Sequence, residues 1–285
     1  MIAFTDSNLQ DYFSQYDTGH FDSTGVVNPT SFNFINNNAD NLVVTVGCSW
    51  TWGANMTKND DPEHRLKYNF GRVLADNLDA DWLCLGQVGT GNFWLYQKVE
   101  EFVKLISSLK YKKIYIICTL TEVGRQCYTE LDSHIDYADY FANNKYGTPL
   151  LEHLNEYAVS RIIAATTPHS NVVLRIGTNF VDPIGVGIAG KHVVPKNWLS
   201  ILCEASGTEY TGPCYTVSHL AADRLRKLQK FTHDGFGYTL WLTDLLNQGG
   251  ERIRLCQRCD LLMPGTGHPG VEGHNIWAQE ILKTL

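Results

Sequence analysis

Four short apolar runs, residues 42–47, 82–86, 113–120 and 172–177, are rich in Val, Ile, Leu and Cys and barely interrupted by polar residues. Near-continuous hydrophobicity marks strands buried on both faces, whereas half-exposed strands alternate. Between the runs, apolar residues recur at helical spacing near 68–78, from Phe93 to Leu109 and from Pro149 to Ala165. Strands alternating with helices predict a mainly parallel sheet covered on both faces, with ligands bound beyond the carboxyl ends of the strands. An amphipathic helix after Gly270 closes the chain.

The intervening segments read differently. Residues 1–40 are polar and Asn-rich around Asn36-Asn37-Asn38, an irregular N-terminal extension, and residues 125–149 form a Tyr- and Asp-rich insertion. A longer insertion, 183–255, carries predicted helices at Val217–Gln229 and near Tyr238–Asn247 and is placed to cap the sheet. Its Trp198, Tyr210, Tyr215, Phe231, Phe236, Tyr238 and Trp241 suggest an aromatic lining for sugar or acyl groups, or a small core of their own. Gly185-Val186-Gly187-Ile188-Ala189-Gly190 spells a dinucleotide fingerprint by letters only, because Pro183 precedes it and no helix follows. There are no internal repeats, and the 285 residues read as a single α/β domain spanning 1–285.

Candidate chemistry sits where the strands end. The first run stops on Gly47-Cys48-Ser49-Trp50-Thr51-Trp52-Gly53, a serine in a Gly-rich turn that either presents a nucleophile or simply caps a helix. Near the other end, Gly267-His268-Pro269-Gly270 places a histidine just before the last helix. A hydroxyl is a weak nucleophile at neutral pH and needs an imidazole within reach to take its proton, so Ser49 and His268 form the candidate catalytic pair. His274, at the start of that helix, reads as structural.

The pattern G-x-S-x-T-x-G at 47–53 and H-P followed by Gly at 268–270 resemble the first and last blocks of the GDSL/SGNH hydrolases, with Cys48 where that family has aspartate. The resemblance implies a flavodoxin-like three-layer sandwich, the SGNH hydrolase fold, carrying large insertions. It also implies a serine esterase acting on a small acyl or carbohydrate ester. The second block matches as Gly86-Gln87-Val88-Gly89, and a glycine there lets a backbone N–H approach a developing oxyanion. The sequence Gly89-Thr90-Gly91-Asn92 and the G-C-S first block are similar to a phage and bacterial subgroup, which makes Asn92 a further donor candidate. In that subgroup the third strand ends in Thr followed by Arg, loosely matched by Thr121 and Arg125. The implied oxyanion hole is therefore Ser49, Gly89, Asn92 and Thr121.

Two departures weaken the match. No G-x-N-D follows the third strand, and the letters Gly177-Thr178-Asn179 occur only after the fourth. The acid that precedes the histidine in the family is replaced by Gly265 and Thr266. A backbone carbonyl orients His268, or Asp260 reaches it from elsewhere, or catalysis is lost. The alternative function is accordingly a catalytically impaired SGNH-like binding or structural module of a larger assembly, a phage assembly included.

Charge and cysteine usage narrow the partners. A net charge of −7 without a dense Lys/Arg cluster argues against nucleic acid and anionic membranes. No stretch has the length of a membrane span and the N-terminus lacks a signal-peptide pattern, so a cytoplasmic protein with a small-molecule ester substrate is expected. The sequence leaves the oligomeric state open. Of eight cysteines, Cys48, Cys84 and Cys118 fall in or beside core strands and read as reduced thiols. Cys256-Gln257-Arg258-Cys259 with His268 and His274 nearly writes a zinc set, but the stronger claim on His268 is the serine, and neither metal nor cofactor is expected.

Overall fold

The computed structural model describes residues 20–21, 27–28, 33–35, 37–56, 61–87, 90–121, 147–179, 190–209, 259–263 and 267–285. Strands are β1 (His20–Phe21), β2 (Val27–Asn28), β3 (Asn33–Ile35), β4 (Asn41–Gly47), β5 (Ala80–Cys84), β6 (Lys113–Leu120) and β7 (Val172–Thr178). Helices are α1 (Ser49–Trp52), α2 (Pro62–Tyr68), α3 (Phe70–Asn77), α4 (Asn92–Ile106), α5 (Gly147–Thr166), α6 (Trp198–Ala205) and α7 (Val271–Leu282).

The expected α/β class is observed. The sheet runs β3-β5-β4-β6-β7, with β5, β4, β6 and β7 parallel. Their order is that of a flavodoxin-like sheet whose first parallel strand, β4, lies at the centre, where the strand order reverses. Buried side chains fill both faces of β4 and β6, which explains the unbroken apolar runs. Helices α4 and α5 pack together as one layer, and α3, α6 and α7 pack as another.

Three features depart from the apolar pattern, each for a local reason. Part of the polar 1–40 segment, β3, pairs antiparallel with β5 and adds an edge strand to the sheet, with Phe34 opposite Leu83. β5 starts at Ala80, so it contains Asp81. That carboxylate is accepted into a buried position because Asn37 N–H, Ala39 N–H and the Tyr111 hydroxyl donate to it at 2.7, 3.2 and 2.7 Å. The single helical stretch near 68–78 is two helices broken at Asn69, whose Oδ1 caps α3 by accepting from Gly71 N–H at 2.9 Å.

α6 lies inside the segment read as a cap, and Trp198 is a core residue rather than a pocket lining. It is fully buried and stacked on Trp277 of α7, centroids 5.2 Å apart. The helices expected at 217–229 and 238–247, with the remaining aromatic residues of that insertion, lie outside the described residues. Among the described residues no helix is long and apolar enough to cross a membrane.

Gly71 offers a test of the packing between α3 and the sheet. A Cβ there would meet Trp82 Nε1 at 2.2 Å and Thr45 Cγ2 at 2.8 Å, two side chains that are themselves hydrogen-bonded at 3.1 Å. Alanine is the better helix former by about 1 kcal/mol, but overpacking costs about 1–3 kcal/mol. Gly71→Ala is therefore expected to lower the midpoint of urea unfolding; a raised midpoint would contradict this packing.

Candidate active site

The central strand delivers the serine. β4 ends at Gly47, Cys48 stays extended, and Ser49 opens the one-turn helix α1, which Gly53 terminates in the left-handed conformation at φ 81°. As the first helical residue, Ser49 has an N–H that no carbonyl of its own helix receives. Its side chain is 7% exposed. Gly47 permits the turn, since a Cβ on it would lie 1.9 Å from Thr51 Oγ1.

A hairpin delivers the histidine. Leu262 and Pro269 form an antiparallel bridge. Met263 N–H donates to the His268 carbonyl at 2.8 Å and Gly270 N–H to the Leu261 carbonyl at 2.9 Å. Gly267, directly before the histidine, has φ 64°, a conformation that glycine adopts without strain. The result is a 2.9 Å contact between His268 Nε2 and Ser49 Oγ, across 219 residues of sequence.

The neighbouring strand ends close around Gly47. Gln87 N–H donates to the Gly47 carbonyl at 2.9 Å, and Thr90 Oγ1 donates to the same carbonyl at 3.4 Å and to Gln87 O at 2.9 Å. Gly89, between them, lies outside the described residues. Asn92 is fully buried; its Nδ2 donates to Thr121 O at 3.2 Å and its Oδ1 accepts from Thr121 N–H at 2.9 Å. It thus ties the start of α4 to the end of β6. With the Thr121 N–H occupied, donation from Thr121 to a substrate falls to its hydroxyl. Arg125 lies outside the described residues.

Three contributions escape the sequence reading. Asn69, besides capping α3, donates from Nδ2 to the Thr51 carbonyl at 2.9 Å and so holds α1 from below. Asn179 joins two strand ends: its N–H donates to the Leu120 carbonyl at 2.9 Å and its Nδ2 lies 3.0 Å from Cys48 Sγ. His274 accepts the Phe70 N–H at Nδ1, 3.3 Å away, lies against Phe70, and meets Trp198 edge-on. Neither the two Asn residues nor His274 carries a sequence signal for these distant partners.

Asp260 is exposed in the turn at the foot of the hairpin, and no hydrogen bond joins it to His268; Gly265 and Thr266 lie outside the described residues. Of the residues that spell a zinc set, His268 faces Ser49 and His274 faces Phe70, and Cys256 lies outside the described residues. Among the described residues no three His, Cys, Asp or Glu side chains gather around a metal position.

No family model and no curated protein matches the chain. Solved structures similar to it include a member of the lipolytic G-D-S-L family from Veillonella parvula, 10% identical, covering 85% of this chain and 97% of that one with a TM-score of 0.38. A carbohydrate acetylesterase family member from Sinorhizobium meliloti is 11% identical, covering 85% and 95% with a TM-score of 0.40. A carbohydrate esterase with divergent catalytic and non-catalytic binding functions is 12% identical, covering 86% and 68% with a TM-score of 0.39. At such values the site has to be judged on its own atoms.

His274 gives the site a pH signature. Burial, and secondarily the nearby His268, push its pKa down from 6.5 to about 3. The unfolded chain therefore binds a proton between those limits that the folded chain refuses, and stability falls as pH drops from about 6.5 toward 3. The expected slope from this residue approaches ~1.4 kcal/mol per pH unit. His274→Gln, which keeps an acceptor for Phe70 N–H, should flatten the dependence in urea titrations; an identical slope in both proteins would contradict the assignment.

Proposed function

We propose that the chain is a serine esterase of SGNH type acting on a small acyl or carbohydrate ester. The observation that carries this reading is the 2.9 Å contact between Ser49 Oγ and His268 Nε2 at the carboxyl end of the central strand. With its proton on Nδ1, the imidazole accepts the serine proton at Nε2 as Oγ attacks the ester carbonyl. The Ser49 N–H, with Gly89, Asn92 and the Thr121 hydroxyl as further candidates, stabilises the oxyanion. His268 then returns the proton to the departing alkoxide, leaving an acyl-serine, and repeats the exchange with water to release the acid. Gly47, Asn69 and Asn179 keep the turn in place without touching the reacting atoms.

The exposed position of Asp260 favours a Ser49–His268 dyad over a triad completed by Asp260. Such a dyad is slower than a full triad because the imidazolium lacks a partner charge. The clamp of Asn92 onto Thr121 favours the second reading, a binding module without turnover, because it engages both ends of an amide that the esterase would direct at the substrate.

Hydrolysis of p-nitrophenyl acetate separates the two. The esterase requires Ser49→Ala to lower kcat/KM by at least ~10³-fold with an unchanged circular dichroism spectrum; equal rates for wild type and Ser49→Ala would favour the binding module. Asp260→Asn is expected to leave kcat/KM within about twofold, since a solvent-screened carboxylate contributes little. A large loss without unfolding would instead make Asp260 the acid.

A further inference from the structure

Beneath the Ser49 turn, three polar groups are shut off from solvent and share a need for a partner. Thr51 Oγ1 on α1, Thr119 Oγ1 on β6 and Trp277 Nε1 on α7 belong to fully buried residues and make no hydrogen bond among the described residues. Native interiors rarely leave such groups unpaired, because each gave up its bonds to solvent on folding.

The strand register places the three side by side. Gly47, Thr119 and Gly177 are direct neighbours across β4, β6 and β7, so their Cβ directions form one row on one face of the sheet, with adjacent strands about 4.8 Å apart. The two glycines leave room in that row, and a side chain from above enters each space. Thr51 Oγ1 lies 1.9 Å from the point a Cβ on Gly47 would occupy, and Trp277 Cζ2, two bonds from Nε1, lies 2.5 Å from the same point on Gly177. The Thr119 side chain stands between the two.

The chemistry of the three groups selects the occupant. The indole N–H only donates, whereas each threonine hydroxyl donates and accepts. A water accepts from the indole and donates to both hydroxyl oxygens, and about three hydrogen bonds is the usual complement of an internal water. A metal cation gains nothing from the N–H, which offers no lone pair. A halide, which only accepts, is the competing occupant.

We propose that an internal water is bound between Thr51, Thr119 and Trp277. Thr51 is two residues beyond Ser49 on α1, and α7 starts three residues after His268. The water therefore bridges the support of the candidate nucleophile to β6 and to the helix that follows the candidate base. It touches neither reacting atom, so the three residues are positioning residues.

A crystal structure of the full-length protein, grown with bromide in place of chloride, tests the occupant. The expected result is one density peak within about 3.2 Å of Trp277 Nε1, Thr119 Oγ1 and Thr51 Oγ1, without anomalous signal at the bromine edge. An anomalous peak there, a direct protein partner for each of the three atoms, or no density between them would overturn the proposal. Urea unfolding gives a second readout. Thr119→Val keeps the shape and deletes the hydroxyl; it should raise the unfolding constant about tenfold, and Thr119→Ser should restore most of that loss. Thr51→Val should cost less in the Thr119→Val background than in wild type, because the water both hydroxyls hold is already lost. Fully multiplicative effects of the two valine variants would contradict a shared water. Ser49→Ala should leave the density peak in place, so the result stands apart from the esterase reading.

Discussion

The last residue of β4 has no room for a side chain. Thr51 folds back over Gly47, and a Cβ there would sit 1.9 Å from the threonine hydroxyl oxygen and 3.0 Å from the Thr119 carbonyl of the neighbouring strand. That close approach lets the chain leave the sheet and start a helix within one residue, so that the next side chain but one, Ser49, stands at the sheet's carboxyl edge. Three neighbouring segments are registered on this turn. The loop after β5 hydrogen-bonds the Gly47 carbonyl, Asn69 holds the Thr51 carbonyl, and Asn179 meets Cys48.

Bringing His268 to the same point is a packing problem. The hairpin leads directly into α7, which carries Trp277 and His274 into the layer formed with α3 and α6. Trp198 stacks on Trp277 and donates from Nε1 to the Gly273 carbonyl at 3.1 Å. His274 closes the N-terminus of α3 at Phe70. Burial keeps His274 neutral, so it adds no positive charge beside His268.

The sheet was legible because strands buried on both faces are written as unbroken apolar runs, and the β6 boundaries at Lys113 and Leu120 coincide with such a run. Ser49 and His268 were legible because glycine-flanked turns after a strand and before a helix leave a local signature. What failed was non-local. Asp81 reads as a strand breaker until its three donors are known, and Asn69 reads as helix interior until its two partners are seen. Trp198 reads equally as pocket lining or as core, because composition alone does not say which aromatic residue faces another. The resemblance that made Asn92 a donor candidate carries no sign that its amide also pairs with Thr121.

A serine activated by a neighbouring imidazole reacts covalently with an organophosphonate fluoride, and an ordinary serine does not. Mass spectrometry of the chain after exposure to such a probe tests whether Ser49 is activated. One phosphonyl adduct on Ser49, lost in His268→Ala, is the predicted result. An unlabelled Ser49 in the folded wild-type protein, or equal labelling with and without His268, would contradict the account.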